Sequence, residues 1–258
     1  MDTGWLGSGA GSIQLPTATG SLIWRETLLV KDKVAVVFGS WTSTSRKSLL
    51  PVFEQLNGLL YYPVRHEGEE SSRNIFYTGA TPNQQAIPAV RYLMGKEGGE
   101  VRRWVLLGTD DVYPRTTNRI LDAYLGAAGV SPEDIMTIYT PFGYSDWRET
   151  IARIKGFGSA GKKTAVISTI GGDANTSFYK ALAAQKVEAA SIPVIAFSVG
   201  ERELIGQDSK PLLGRGCMEL FPVDRIATER GVRRDVEGLY RGSGRHHERP
   251  YGGDIDRL

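Results

Sequence analysis

The chain has 258 residues, 41% of them apolar, with a net charge of +2 and one cysteine, Cys217. That length holds one large domain or two modest lobes, and the apolar content excludes wholesale disorder. The small net charge gives no electrostatic case for nucleic acid or a membrane surface. A single cysteine excludes an intramolecular disulfide, and no stretch approaches the ~20 apolar residues of a membrane helix.

Residues 1–20 are rich in Gly, Ser and Thr and have neither a basic start nor an apolar run, so they do not read as a secretory signal peptide. The apolar run 34–38 reads as a buried strand, broken by Gly39. A hydroxyl-rich loop then opens a helix near Ser45. Backbone N–H groups at such a helix start, ringed by Ser and Thr hydroxyls, suit a small polar ligand. Further strands are expected at 59–62, 75–78, 103–107, 135–139, 164–168 and 194–197, with helices at 45–56, 83–94, 116–128, 147–155 and 175–185. This alternation predicts an α/β fold of parallel sheets with helices on both faces. Gly39, Pro63, Gly108, Pro141 and Gly171-Gly172 punctuate the strand ends, where such folds place ligand loops. Residues 215–258 carry nine arginines and no lysine and hold no convincing strand. As a charge run they read as a basic, disordered extension or as a nucleic-acid arm.

Four strand-end loops carry the candidate site residues. In the first, Ser43 or Ser45 can cap the helix, which leaves the loop aromatic Trp41 without a packing role. In Tyr61-Tyr62-Pro63, side-chain alternation sends one tyrosine into the core and the other to the opposite face, and a phenol at a strand's C-terminal end can orient a small ligand. In the segment from Gly108 to Arg115, Asp110 can cap a helix, Arg115 can be solvated, and Tyr113 is the ligand candidate. Gly171-Gly172 permits close backbone approach or a tight turn. Catalytic constellations are poor. Cys217, His246 and His247 lie in the tail, His66 has no evident metal partners, and the Gly-x-Gly patterns at 7–11 and 156–161 lack a strand–loop–helix context. Neither an enzyme nor a bound cofactor or metal is expected.

Together the segments resemble a known family. Lys31-Asp32-Lys33-Val34-Ala35-Val36-Val37-Phe38-Gly39, Thr42-Ser43-Thr44-Ser45-Arg46-Lys47 and Thr81-Pro82-Asn83-Gln84-Gln85-Ala86-Ile87-Pro88 are similar to the urea-type substrate-binding proteins of ABC transporters, in the Leu/Ile/Val-binding-like class. So are Leu50-Pro51-Val52-Phe53-Glu54, Tyr113-Pro114-Arg115-Thr116-Thr117-Asn118, Tyr139-Thr140-Pro141-Phe142-Gly143 and Ala196-Phe197-Ser198-Val199-Gly200-Glu201. The resemblance covers about 28–214. It implies a type I periplasmic binding protein fold, two lobes that close about a hinge on urea or a short-chain amide. It places the ligand on Trp41, Ser43, Tyr62 and Tyr113, with a transporter permease as partner and the periplasm as the family's location. This chain, without a signal peptide, is expected in the cytoplasm. Relatives also include a cytoplasmic amide-sensing regulator of amidase expression; a small-amide hydrolase is the remaining alternative, and it lacks a nucleophile–base pair. Arg65, His66, Asp111 and Gly171 depart from the family's usual residues, and a cation at Arg65 would change the polarity of the cleft.

Family chains are considerably longer. Residues 1–27 and 215–258 do not match and are expected to be disordered. Codons exist for Cys217-Met218-Glu219-Leu220-Phe221 that spell Ala-Trp-Asn-Tyr one base later, as the family continues. Residues 244–250 admit the same rereading, and 21–27 a weaker one. The expectation is therefore a truncated or frameshifted copy whose binding function need not survive.

Overall fold

The structure is a computed structural model in which residues 24–199 and 216–217 are described, all within one compact unit that ends at Glu219. The expectations for residues 1–23 and for the tail beyond Cys217, including His246 and His247, lie outside the described residues.

Helix α1 (Trp24–Lys31), a wide π-type helix, leads into β1 (Val37–Phe38). The expected strand 34–38 is shortened to these two residues. Asp32 and Val34 give their N–H groups back to Thr27 and Leu28 of the preceding helix, so pairing with the next strand begins only at Val37. Then come α2 (Ser43–Gln55), β2 (Leu60–Tyr62) and β3 (Ile75–Tyr77). The three strands are parallel, in the order β1-β2-β3. One face packs Val37, Leu60, Tyr62 and Ile75 against Leu49 and Phe53 of α2. The other face departs from expectation, because no described helix covers it. Phe38 is 70% exposed there and Phe76 46%, and Tyr61 stacks between them at 4.9 and 4.7 Å.

The second sheet is built from β4 (Arg103–Thr109), β5 (Ile135–Thr140), β6 (Thr164–Thr169), β7 (Val194–Ala196) and β8 (Gly216–Cys217), all parallel, in the order β5-β4-β6-β7-β8. The short β8 falls where no strand was expected. Here the two-sided cover is complete. Trp104 and Leu106 face α3 (Ala86–Met94) and α4 (Val112–Ala127), while Val105 and Leu107 face α5 (Arg148–Gly158) and α6 (Ala174–Ala184). Such strands are buried on both faces, which is why β4 and β6 read as near-continuous apolar runs.

Two helix starts differ from expectation by more than two residues. Helix α3 begins at Ala86 because residues 81–85 close a separate turn, with Gln84 and Gln85 donating to the Thr81 carbonyl. Helix α4 begins four residues early, since Pro114 fits a first turn whose N–H groups have no helical partner. That shift puts Tyr113 on the helix and buries it. Among the described residues, no helix is long and apolar enough to cross a membrane.

Candidate functional site

The loop after β1 sets the first wall. Ser40 is held at φ +69°. Thr42 then caps α2: its Oγ1 accepts from the Ser45 N–H at 3.0 Å, and Ser45 Oγ accepts from the Thr42 N–H at 3.2 Å. The cap is therefore Thr42, not Ser43 or Ser45, because Thr42 has the extended backbone a cap requires. Ser45 is its reciprocal partner.

Trp41, Ser43, Tyr62 and Tyr113 line one cleft between the C-terminal ends of the two sheets. With them stand Arg65, Thr109, Asp111, Phe142, Thr169 and Gly171. The space between these walls is about 350 Å³, counting its open mouth. Within it there is room for a ligand of a few non-hydrogen atoms.

The walls meet at several points. Thr44 donates its hydroxyl to Asp111 from the opposite side. The Trp41 ring reaches over to Phe142, with ring centroids 6.3 Å apart, and rests beside Gly171 and Gly172. Gly172 has φ +67°, and a Cβ there would stand 3.4 Å from the indole, so glycine gives the ring its seat. Asp111 holds the cap position of α4 without a side-chain cap bond. Asp110, the expected cap, instead accepts from Arg115 at 2.5 Å, and Arg115 also lies over the Tyr139 ring.

Each expected ligand residue has a fixed setting. Ser43 is buried, donates to Glu67 Oε2 at 2.5 Å, and accepts from Arg46 Nη1 at 3.0 Å. Tyr62 is fully buried and donates to the Trp41 carbonyl at 3.1 Å, so it positions the loop; burial raises the pKa of its phenol. Tyr113 lies under the Arg65 guanidinium, 4.9 Å from its carbon to the ring centroid.

Behind Ser43 lies an ion cluster with no exposed cation at its centre. Arg46 is wholly buried, 2.7 Å from Glu67 and 2.8 Å from Glu70. Lys47 and the Tyr77 hydroxyl also reach Glu70, at 2.9 and 2.7 Å. Burial works to raise the Glu70 pKa, but hydrogen bonds from Arg46, Lys47 and Tyr77 overcome it and hold the group at about 2. In Glu67 the same contest ends the same way, with the Ser43 hydroxyl and the Arg46 charge outweighing burial. His66 stacks on Tyr77 at 4.8 Å, and burial, seconded by the Arg46 charge, pushes its imidazole pKa down. Among the described residues, no group of three or more His, Cys, Asp or Glu could hold a metal ion.

Sequence reasoning missed Thr109, Thr169 and Phe142 as wall residues. All three stand at or just past the C-terminal ends of parallel strands, a position that itself marks ligand walls in such sheets. It also missed the pairing of Arg46 with Glu67 and Glu70, which has no spacing signature.

A family model described as the periplasmic binding protein domain matches residues 24–221. Solved structures share the fold. One is a solute-binding protein of an ABC transporter from R. palustris in complex with 4-hydroxybenzoate. It is 19% identical, with a TM-score of 0.60, over 77% of this chain and 51% of that one. A second, from Rhodopseudomonas palustris HaA2 with p-hydroxybenzoic acid, is 18% identical with a TM-score of 0.60, over 76% and 50%. A third is the branched-chain amino acid transporter substrate-binding protein LivJ from Streptococcus pneumoniae with isoleucine. It is 14% identical with a TM-score of 0.54, over 70% and 49%. This chain thus spans about half the length of these solved relatives. With the family match over most of its length, the chain belongs to the periplasmic binding protein domain family.

Proposed function

We propose that this chain is the solute-binding part of an ABC transporter and takes urea or a short-chain amide into the cleft between its two sheets. The observation that carries this reading is the hydrogen-bond inventory of the cleft. Ser43 has its proton on Glu67 and one lone pair on Arg46, which leaves one lone pair to accept a ligand N–H. Thr169 donates to the Leu107 carbonyl and also presents acceptor capacity. Thr109 accepts from the Gly171 N–H, and its own proton is available for a ligand carbonyl. An amide brings N–H donors and one carbonyl to such a set. The rings of Trp41, Tyr62, Tyr113 and Phe142 wall off water. A buried partner left unpaired costs about 1–3 kcal/mol, which selects an amide over an apolar molecule of the same shape.

The relatives named above hold 4-hydroxybenzoate and isoleucine, so related clefts take small organic solutes of differing chemistry. The small space here favours the lighter amides. A permease partner and a periplasmic location belong to the same proposal.

Isothermal titration calorimetry on the full chain tests it, with urea, acetamide and isoleucine as ligands. Urea or acetamide is expected to bind at one site per chain, and Ser43→Ala is expected to weaken that binding about tenfold, the loss of one buried acceptor. Binding of isoleucine together with silence toward both amides would overturn the assignment.

A further inference from the structure

Among the described residues lining the cleft, Arg65 is the one cation. It sits on the loop after β2, and that loop is held from behind. The His66 N–H bonds to the Ala80 carbonyl at 3.1 Å, and Gly79 lies directly against the Val64 backbone. The guanidinium stacks over the Tyr113 ring. Its charge also acts on Tyr62, where with Arg46 and Ser43 it opposes the rise in pKa that burial produces. Arg65 therefore stands over one ring of the cleft wall, and its charge reaches a second.

A guanidinium presents five donors in a planar fork that matches a carboxylate at two points, and stacking on an aromatic face fixes that plane. A neutral amide offers only one carbonyl oxygen to such a fork. Among the described residues the cleft lining also holds one anion, Asp111, which accepts from Thr44. Asp111 favours N–H donors and repels a carboxylate. A ligand with both groups thus has one preferred orientation between these two charges.

We propose that the solute is a short amide that also carries a carboxylate, with Arg65 pairing the carboxylate while Ser43 and Asp111 accept the amide N–H groups. This rests on the reading of the cleft as an amide site and narrows it. Arg65 is then the specificity-determining residue, and neutral urea is a poorer ligand than its carboxylated analogues.

The test compares oxamate, acetamide, urea and alanine by calorimetry on the full chain and on Arg65→Gln. Oxamate is expected to bind at least tenfold tighter than acetamide or urea, and Arg65→Gln is expected to remove that advantage. Raising the salt concentration on the unaltered chain is a second readout that needs no variant. Oxamate affinity should fall with salt and acetamide affinity should hold, because only the first depends on a charge pair. Acetamide or urea binding as tightly as oxamate, an unchanged preference in Arg65→Gln, or alanine binding tighter than oxamate overturns the proposal and leaves the cleft itself standing. Silence toward all four ligands overturns the cleft assignment with it.

Discussion

Arg46 shows how much of this site depends on residues outside the cleft lining. It is fully buried, and its guanidinium joins Glu67, Glu70 and Ser43 while lying 4.9 Å from the Tyr62 ring centroid. Replacing it with an apolar residue leaves two carboxylates buried without their main counter-ion. Arg46→Met is therefore expected to cost about 3–5 kcal/mol near neutral pH, read by guanidinium chloride unfolding. The pH dependence gives a second signature. In the unaltered chain the Glu70 pKa is lowered from 4.5 to about 2, so its contribution is full above 4.5 and is lost as pH falls toward about 2. In Arg46→Met the unpaired carboxylates favour protonation, so acidification through the same range should narrow the gap between variant and parent. A gap that is constant with pH would refute the assigned role. Nothing in the sequence pointed to this cluster, because its members lie 21 and 24 positions apart on a helix and a loop. Trp41, Ser43, Tyr62 and Tyr113 were legible as cleft-lining residues because each lies in a segment that ends a parallel strand or follows it, with its own chemistry on display.

At the scale of elements, the strands and helices expected from periodicity all exist, and the errors fall at their ends and in α1 and β8, which were not expected. Local hydrogen bonds decided those ends. Thr42 won the cap from Ser43 and Ser45 through its backbone angles, and Pro114 was accommodated in the first turn of α4 where a loop was expected. Loop contacts are less legible still. Gly79 follows β3, and a Cβ there would stand 2.1 Å from the Val64 carbonyl oxygen. The β2 and β3 loops can lie side by side only because that atom is absent. Gly79→Ala should displace Val64 and Arg65 from the cleft wall and destabilise the chain by about 1–3 kcal/mol, the usual cost of overpacking. Ligand titration and thermal melting should both register the change. A melting temperature within a degree of the parent would show that the loops yield freely.

For the whole molecule, the parallel strands of both sheets aim their C-terminal ends at one cleft, and the fold class was legible because that alternation is written along the chain. The uneven cover of the two sheets was not, since apolar runs reveal a strand but not what lies above it. The second sheet is enclosed on both sides, whereas the first leaves Phe38, Tyr61 and Phe76 uncovered. Phe38→Ser with Phe76→Thr should lower binding of an environment-sensitive dye such as ANS and should leave amide titration unchanged, since neither residue lines the cleft. Undiminished dye fluorescence would place the apolar surface elsewhere. The three rings also form a column that steps 4.9 and 4.7 Å from strand to strand, close to the roughly 4.7–4.8 Å repeat of cross-β fibres. Neither edge of this sheet is paired among the described residues, so one more strand carrying an aromatic residue would extend both the backbone ladder and the stack. The ring column thus marks the direction in which a further strand would add to this sheet.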